Sequence, residues 1–187
     1  MGASWHNCIV TIIDIVGVRS QSQNSAGSSI MLQLHQTVLA EIRDNKYSFT
    51  HTYIYNDAVQ ILSYVNEKKD SFQTAMRDAD RLKRRIDEIQ DPSRKSYAIA
   101  VKGKAFPKIP NESRNSVTII ETSSWAMANC FEIEKEMKRL RIKKAWYVDE
   151  RIAKKIQTEQ ECEKHAVSLY PSSQSRTVYC YKDYLWD

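Results

Sequence analysis

The run IVTIIDIVGVRS, residues 9–20, sets one carboxylate, Asp14, inside an otherwise apolar stretch. A charge that leaves water without a partner is costly, so a carboxylate here implies either something for it to bind or strand-end backbone amides for it to cap. A second carboxylate, Asp57, stands in TYIYNDAVQILSYV, residues 52–65, between two β-rich runs. Alone, Asp57 is ordinary turn chemistry. Brought together, two such side chains repel unless cations bridge them. Hard divalent ions, Mg²⁺ or Mn²⁺, take oxygen ligands of this kind and leave positions for substrate phosphates. A two-metal site activates an oxygen nucleophile on one side and steadies the leaving group on the other. Beyond Asp14, Gly17 permits close backbone approach, and Arg19, Ser20 and Ser22 supply donors ahead of a helix N-terminus, a setting suited to phosphates.

The elements that must position these groups read in the order β-α-β-β-α-β with a further β/α tail. Residues 8–18 are dense in β-branched residues and predict a buried strand. SQSQNSAGSS is a polar loop, and IMLQLHQTVLAEIR places Ile30, Leu34, Val38 and Ile42 on one helical face. Residues 47–65 predict two strands around Asn56-Asp57, because both residues tolerate positive φ at modest cost. From Asp70 to Gln90 an amphipathic helix carries Phe72, Ala75, Met76, Ala79, Leu82, Ile86 and Ile89 on its apolar face. SYAIAVKGKAF predicts a strand, VTIIET a short one, and residues 123–141 a helix with Cys130, Ile133, Met137 and Leu140 inward. KKAWYV, DERIAKKIQ and a last hairpin of VSLY and TVYCYKDYLW complete the chain. This is a ferredoxin-like α+β order, expected to lay its helices on one face of a mainly antiparallel sheet. The first strand is expected beside the second and third, so that its far end meets the hairpin tip and Asp14 meets Asp57.

A length of 187 residues suits a single domain with a sizeable core, and 42% hydrophobic with 27% charged residues is an ordinary folded balance. No apolar run reaches the ~20 residues of a bilayer span, and MGASWHNC has neither the basic start nor the apolar core of a secretory leader. Cys8, Cys130, Cys162 and Cys180 lack metal-ligand spacing and read as small apolar residues in a reducing cytosol. His6, His35, His51 and His165 are likewise scattered. A net charge of +5 would serve a polyphosphate ligand or a nucleic acid and is too small to decide between them. The strands lack the Gly-Phe-x-Phe series of an RNA-binding sheet, so neither nucleic acid nor membrane is expected as a partner.

TIIDIVGVRS and TYIYNDAVQILSYV together resemble the catalytic core of class III nucleotide cyclases. That family opens on a strand ending Asp-Ile-x-Gly-Phe and later carries Gly-Asp at a hairpin turn; Asp14-Ile15-Val16-Gly17 matches the first, and Asn56-Asp57 the second with Asn for Gly. YAIAVKGKAF stands where the family has a strand with Gly103 as the match, and ETSSWAMANCFEIEKEM stands where it has an Asn-x-x-x-Arg helix. The resemblance spans most of the chain, with specific motifs only in its first 65 residues.

The resemblance implies two divalent metal ions, Mn²⁺ or Mg²⁺, held by Asp14, Asp57 and the backbone carbonyl of Ile15. It implies a nucleoside triphosphate seated along residues 15–22, with Gly17, Val18 and Ser20 as substrate contacts. It also implies a homodimer whose active sites are shared between subunits. The Asn-x-x-x-Arg pair is absent; Asn129 stands nearest its Asn, and Arg19 or Arg139 is left to supply the charge. Four residues before Asp57, where adenine-reading members carry Lys, this chain has Tyr53, which favours a smaller base. A stand-alone chain with an altered base pocket resembles the bacterial Pycsar antiphage cyclases. These make cyclic UMP or cyclic CMP for a separate effector. The alternatives are a catalytically inactive cyclase-like domain and a palm-type nucleotidyltransferase; the latter would want more acidic residues at the hairpin.

Overall fold

Alternation along the first strand decides the architecture. In the computed structural model the described residues are 5–15, 25–44, 47–55, 57–88, 96–105, 125–170 and 174–186. Strand β1 (His6–Ile15) sends Ile9, Ile13 and Ile15 into one apolar cluster and Cys8, Val10 and Ile12 into another. A strand apolar on both faces needs cover on both, which is why this run lacks the polar alternation of an exposed sheet.

The remaining elements supply that cover: α1 (Ser25–Asp44), β2 (His51–Tyr55), β3 (Ala58–Tyr64), α2 (Lys69–Glu88), β4 (Ser96–Ala105), α3 (Trp125–Arg139), β5 (Trp146–Asp149), α4 (Glu150–Ile156), β6 (Cys162–Leu169) and β7 (Gln174–Tyr181). The seven strands lie in the order β2-β3-β1-β4-β5-β7-β6, antiparallel except for the β4–β5 pair. The first six elements reproduce the βαββαβ order read from the sequence. The predicted neighbours need correction: β1 lies between β3 and β4, and β2 forms the sheet edge.

The helices also divide, which corrects the expected one-sided arrangement. Leu34 and Val38 of α1, Phe72, Met76, Leu82 and Ile86 of α2, and Ile152 and Ile156 of α4 pack with Ile9 and Ile13. Ala126, Cys130, Ile133 and Met137 of α3 pack on the opposite face with Val10, Ile12, Ile99 and Val101. Each fully buried Leu or Ile contributes about 1.5–3 kcal/mol, so neither layer is dispensable. Leu140, expected inward, lies past the last turn of α3 and is exposed. Residues 117–122, the predicted short strand, lie outside the described residues.

Cys8, Cys130 and Cys180 are buried and Cys162 half-buried, all as free thiols, which suits their reading as small apolar residues. Among the described residues, no helix is long and apolar enough to cross a membrane.

Candidate active site

Asp14 closes the α3-facing series Cys8, Val10, Ile12 at the far end of β1. Its directly opposed neighbours are Ala58 on β3 and Tyr97 on β4. Residues directly opposed in a sheet share a face, so a methyl flanks Asp14 on one side and a phenol on the other. Asp57 occupies the β2–β3 turn, and its carbonyl accepts the Ile15 N–H at 3.1 Å. That bond ties the hairpin tip to the end of β1, and the Asp57 charge acts on the Asp14 carboxyl. Asp57 is buried, 6% exposed.

The surroundings of Asp14 are unusual for a half-buried acid. Its Oδ2 accepts the Tyr97 hydroxyl at 2.6 Å, while its Oδ1 is buried with no hydrogen-bond partner among the described residues. Burial holds its carboxyl above the ordinary Asp range; the Tyr97 hydrogen bond and the Lys138 charge work against that, and the Asp57 and Glu134 charges add to it. The Tyr97 hydroxyl also lies 2.7 Å from Glu134 Oε1, and Glu134 pairs with Lys138 one turn along α3. Burial pushes the Tyr97 phenol far up, and its bonds to Asp14 and Glu134 push it further.

A buried, unmatched carboxylate oxygen beside a second carboxylate fits a divalent cation, which would satisfy the oxygen and cancel the repulsion. Ile15 follows Asp14 on the strand and could add its backbone carbonyl. Among the described residues no group of three or more His, Cys, Asp or Glu side chains forms a metal cluster, so any cation here would rest on two carboxylates, backbone and substrate oxygens.

The other expected site residues divide three ways. Tyr53 pairs with Gln60 across β2–β3, which places it on the Asp14 face of the sheet; its hydroxyl is buried without a hydrogen-bond partner, and burial raises its phenol. Asn129 is buried in α3, but Tyr170 takes both ends of its amide: Nδ2 donates to the Tyr170 carbonyl at 3.1 Å, and Oδ1 accepts the Tyr170 N–H at 2.7 Å. Arg139 ends α3 exposed and bound to Glu136. Gly17, Val18, Arg19, Ser20 and Ser22 lie outside the described residues.

Sequence reasoning did not single out Tyr97 or Glu134. The signals were faint: Tyr97 alternates with Ile99 and Val101, and Glu134 continues the Ala126–Cys130 stripe at the next i+4 position.

A second concave region lies at the other end of β4. It is a cleft of ≈ 510 Å³ whose lining includes Lys102, Trp125, Asn129, Arg151, Tyr170 and Arg176. Trp125 and Tyr170 stack at 5.8 Å, and Arg151 is fixed by buried Asp149, which also caps α4. At about 3.3 Å per residue along β4, the Lys102–Lys104 stretch stands about 20 Å from Tyr97.

No family model matches the sequence, and no curated protein matches it. Solved structures do match the fold. The adenylyl cyclase CyaB from P. aeruginosa is 12% identical, with 98% of this chain and 97% of that one covered at a TM-score of 0.66. The guanylyl cyclase Cya2 is 8% identical, with 98% and 95% covered at 0.64. The guanylate cyclase domain of RhGC from Catenaria anguillulae, in complex with GTP, is 11% identical, with 95% and 97% covered at 0.57. The fold is that of class III nucleotide cyclases, as the two motifs implied.

Proposed function

We propose that the protein is a nucleotide cyclase that converts UTP or CTP to the 3′,5′-cyclic nucleotide and pyrophosphate, making a second messenger in antiphage defence. One observation carries the reading: Asp14 keeps a buried oxygen without a hydrogen-bond partner beside Asp57, in the fold of class III cyclases. Asp14, Asp57 and the carbonyl of Ile15 would hold two divalent cations, Mn²⁺ or Mg²⁺. When bound, these supply acidity to the ribose 3′-OH and neutralise charge on the α-phosphate.

The chain's own residues bind and orient. Gly17, Val18, Arg19 and Ser20 are assigned to the phosphates, with Arg19 supplying a cationic charge. The 3′-oxygen bonds to the α-phosphorus, the α–β bridging bond breaks, pyrophosphate leaves and the hydroxyl proton passes to water. Tyr53 offers the base an aromatic ring and a hydroxyl with a free hydrogen-bonding capacity, on the same sheet face as Asp14. Asn129 acts as a positioning residue: its amide holds Tyr170, and Tyr170 holds Trp125.

The cationic and aromatic cleft is too far from Asp14 to join it within one chain. A homodimer that sets the cleft of one subunit opposite the carboxylates of the other would complete two shared sites. The product would act on a separate cyclic-nucleotide-activated effector.

Purified protein incubated with each of the four ribonucleoside triphosphates and Mn²⁺, with products read by mass spectrometry, tests the reading. Cyclic UMP or cyclic CMP is expected. A strong preference for ATP would overturn the Tyr53 assignment. Nucleotide binding with no cyclic product would leave a catalytically inactive cyclase-like domain.

A further inference from the structure

We infer that Tyr97 is a positioning residue for the cation-binding carboxylate of Asp14, and that Glu134 competes with Asp14 for the hydrogen Tyr97 donates. This rests on the metal reading of Asp14 above. It concerns residues from β4 and α3 that no motif in the chain marks.

The geometry has three parts. Tyr97 faces Asp14 directly across β1–β4, and its hydroxyl is 2.6 Å from Asp14 Oδ2. That leaves Oδ1 as the oxygen turned to other work, buried and without a hydrogen-bond partner among the described residues. On the other flank Ala58 adds only a methyl, so of its two cross-strand neighbours it is the phenol that orients the carboxylate. A carboxylate that binds a cation through one oxygen and accepts a hydrogen bond on the other is held in orientation, and loss of such a partner typically lowers metal affinity.

Tyr97 has its own support, independent of Asp14. Its ring meets the Tyr147 ring edge-on at 6.1 Å, and Tyr147 is anchored through its hydroxyl to the Ile142 carbonyl at 2.9 Å and the Lys144 N–H at 3.0 Å.

Glu134 supplies the competition. A phenol has one proton, and two carboxylate oxygens lie at 2.6 and 2.7 Å from the Tyr97 oxygen. Only one of them can accept at a time. When Tyr97 turns to Glu134, Asp14 loses its orienting bond; Lys138, paired with Glu134, offsets the charge left on that side.

The test is a Mn²⁺ titration of the full chain followed by the electron paramagnetic resonance of free Mn²⁺, with near-ultraviolet circular dichroism confirming each variant's fold. Asp14→Ala defines binding at this site. Tyr97→Phe keeps the ring and removes the donor, so Mn²⁺ affinity should fall by about 10- to 100-fold. In Glu134→Gln the amide can donate to the phenol oxygen and commit its hydrogen to Asp14, so this variant should bind at least as tightly as the native chain. Unchanged affinity in folded Tyr97→Phe overturns the positioning role while leaving the metal site standing. Weakened binding in Glu134→Gln overturns the competition, because the Glu134 charge would then be helping the cation. If the native chain binds no more Mn²⁺ than Asp14→Ala, the metal reading falls and this inference falls with it.

Discussion

Asp80 and Asp87 on α2 and Asp14 on β1 are all acids drawn out of water, on opposite faces of one sheet, yet their surroundings differ in kind. Asp87 Oδ1 accepts the Ser96 N–H and hydroxyl, both at 2.7 Å, and its Oδ2 accepts from Lys83 at 2.7 Å and Tyr184 at 3.0 Å. Asp80 accepts the Trp146 indole N–H at 2.8 Å, the Leu185 N–H at 3.1 Å and Arg84 at 3.3 Å. These two acids bind the C-terminal residues to α2. Asp14 has one phenol, shared with a second carboxylate, and another carboxylate beside it. An acid with both oxygens answered is architecture; one left short, among like charges, marks a place where the fold gives up stability for something it binds.

The widest break between the two groups should appear in catalysis. Asp14→Ala and Asp57→Ala should each lower cyclic-nucleotide formation by about 10³-fold or more, the scale of several kcal/mol of transition-state charge stabilisation. The same Asp14→Ala protein should unfold at no lower urea concentration than the native chain, since Tyr97 can still donate to Glu134. Cyclic product formed at the native rate by folded Asp14→Ala would move Asp14 into the architectural group.

On the α2 side the pattern should invert. Asp87→Ala removes the carboxylate paired with Lys83, whose side chain is 1% exposed, and should cost about 3–5 kcal/mol in urea unfolding, the range for breaking a buried ion pair. Asp80→Ala leaves the Trp146 indole and the Leu185 N–H buried without an acceptor, at about 1–3 kcal/mol each. Where either variant stays folded, its turnover per folded molecule should match the native chain. A large fall in that turnover with stability unchanged would erase the contrast.

How much of this was legible in the chain follows the range of the forces involved. The Asp14 strand, the turn at Asp57 and six buried residues of the α2 face, from Phe72 to Ile86, were readable because alternation, turn chemistry and helical period are local. Lys83, Asp80, Tyr97 and Glu134 were not. Lys83 and Asp80 lie among the polar residues of an amphipathic helix, and Trp146, Tyr184 and Leu185, distant in sequence, turn that side into an interior. Tyr97 meets Asp14 across 83 positions of sequence through the β1–β4 register, and Glu134 meets Tyr97 across a further 37 because α3 crosses to the opposite face. The Asn129 amide looked available for substrate until the return of β6 placed Tyr170 on it.

The smallest expected effect has the most telling sign. Burial and neighbouring charge hold Asp14 above its free value of 3.8, so the native state keeps its proton more tightly than the unfolded chain does. Its contribution to stability is therefore full below pH 3.8 and is lost as pH rises through the raised native value. Asn does not titrate. In EDTA, the melting temperature of Asp14→Asn minus that of the native chain should grow between about pH 4 and pH 7. Asp80 is also raised, by burial first, so Asp80→Asn should share the sign of that pH trend. Saturating Mn²⁺ then separates the two. A cation that binds only the folded state stabilises it by mass action, by about 2.7 kcal/mol at a hundredfold excess over the dissociation constant. The native chain and Asp80→Asn should both gain at pH 7, while Asp14→Asn should not, so its advantage in EDTA becomes a deficit. If Mn²⁺ raised all three melting temperatures equally, the cation would be binding elsewhere, and Asp14 would be one more buried acid.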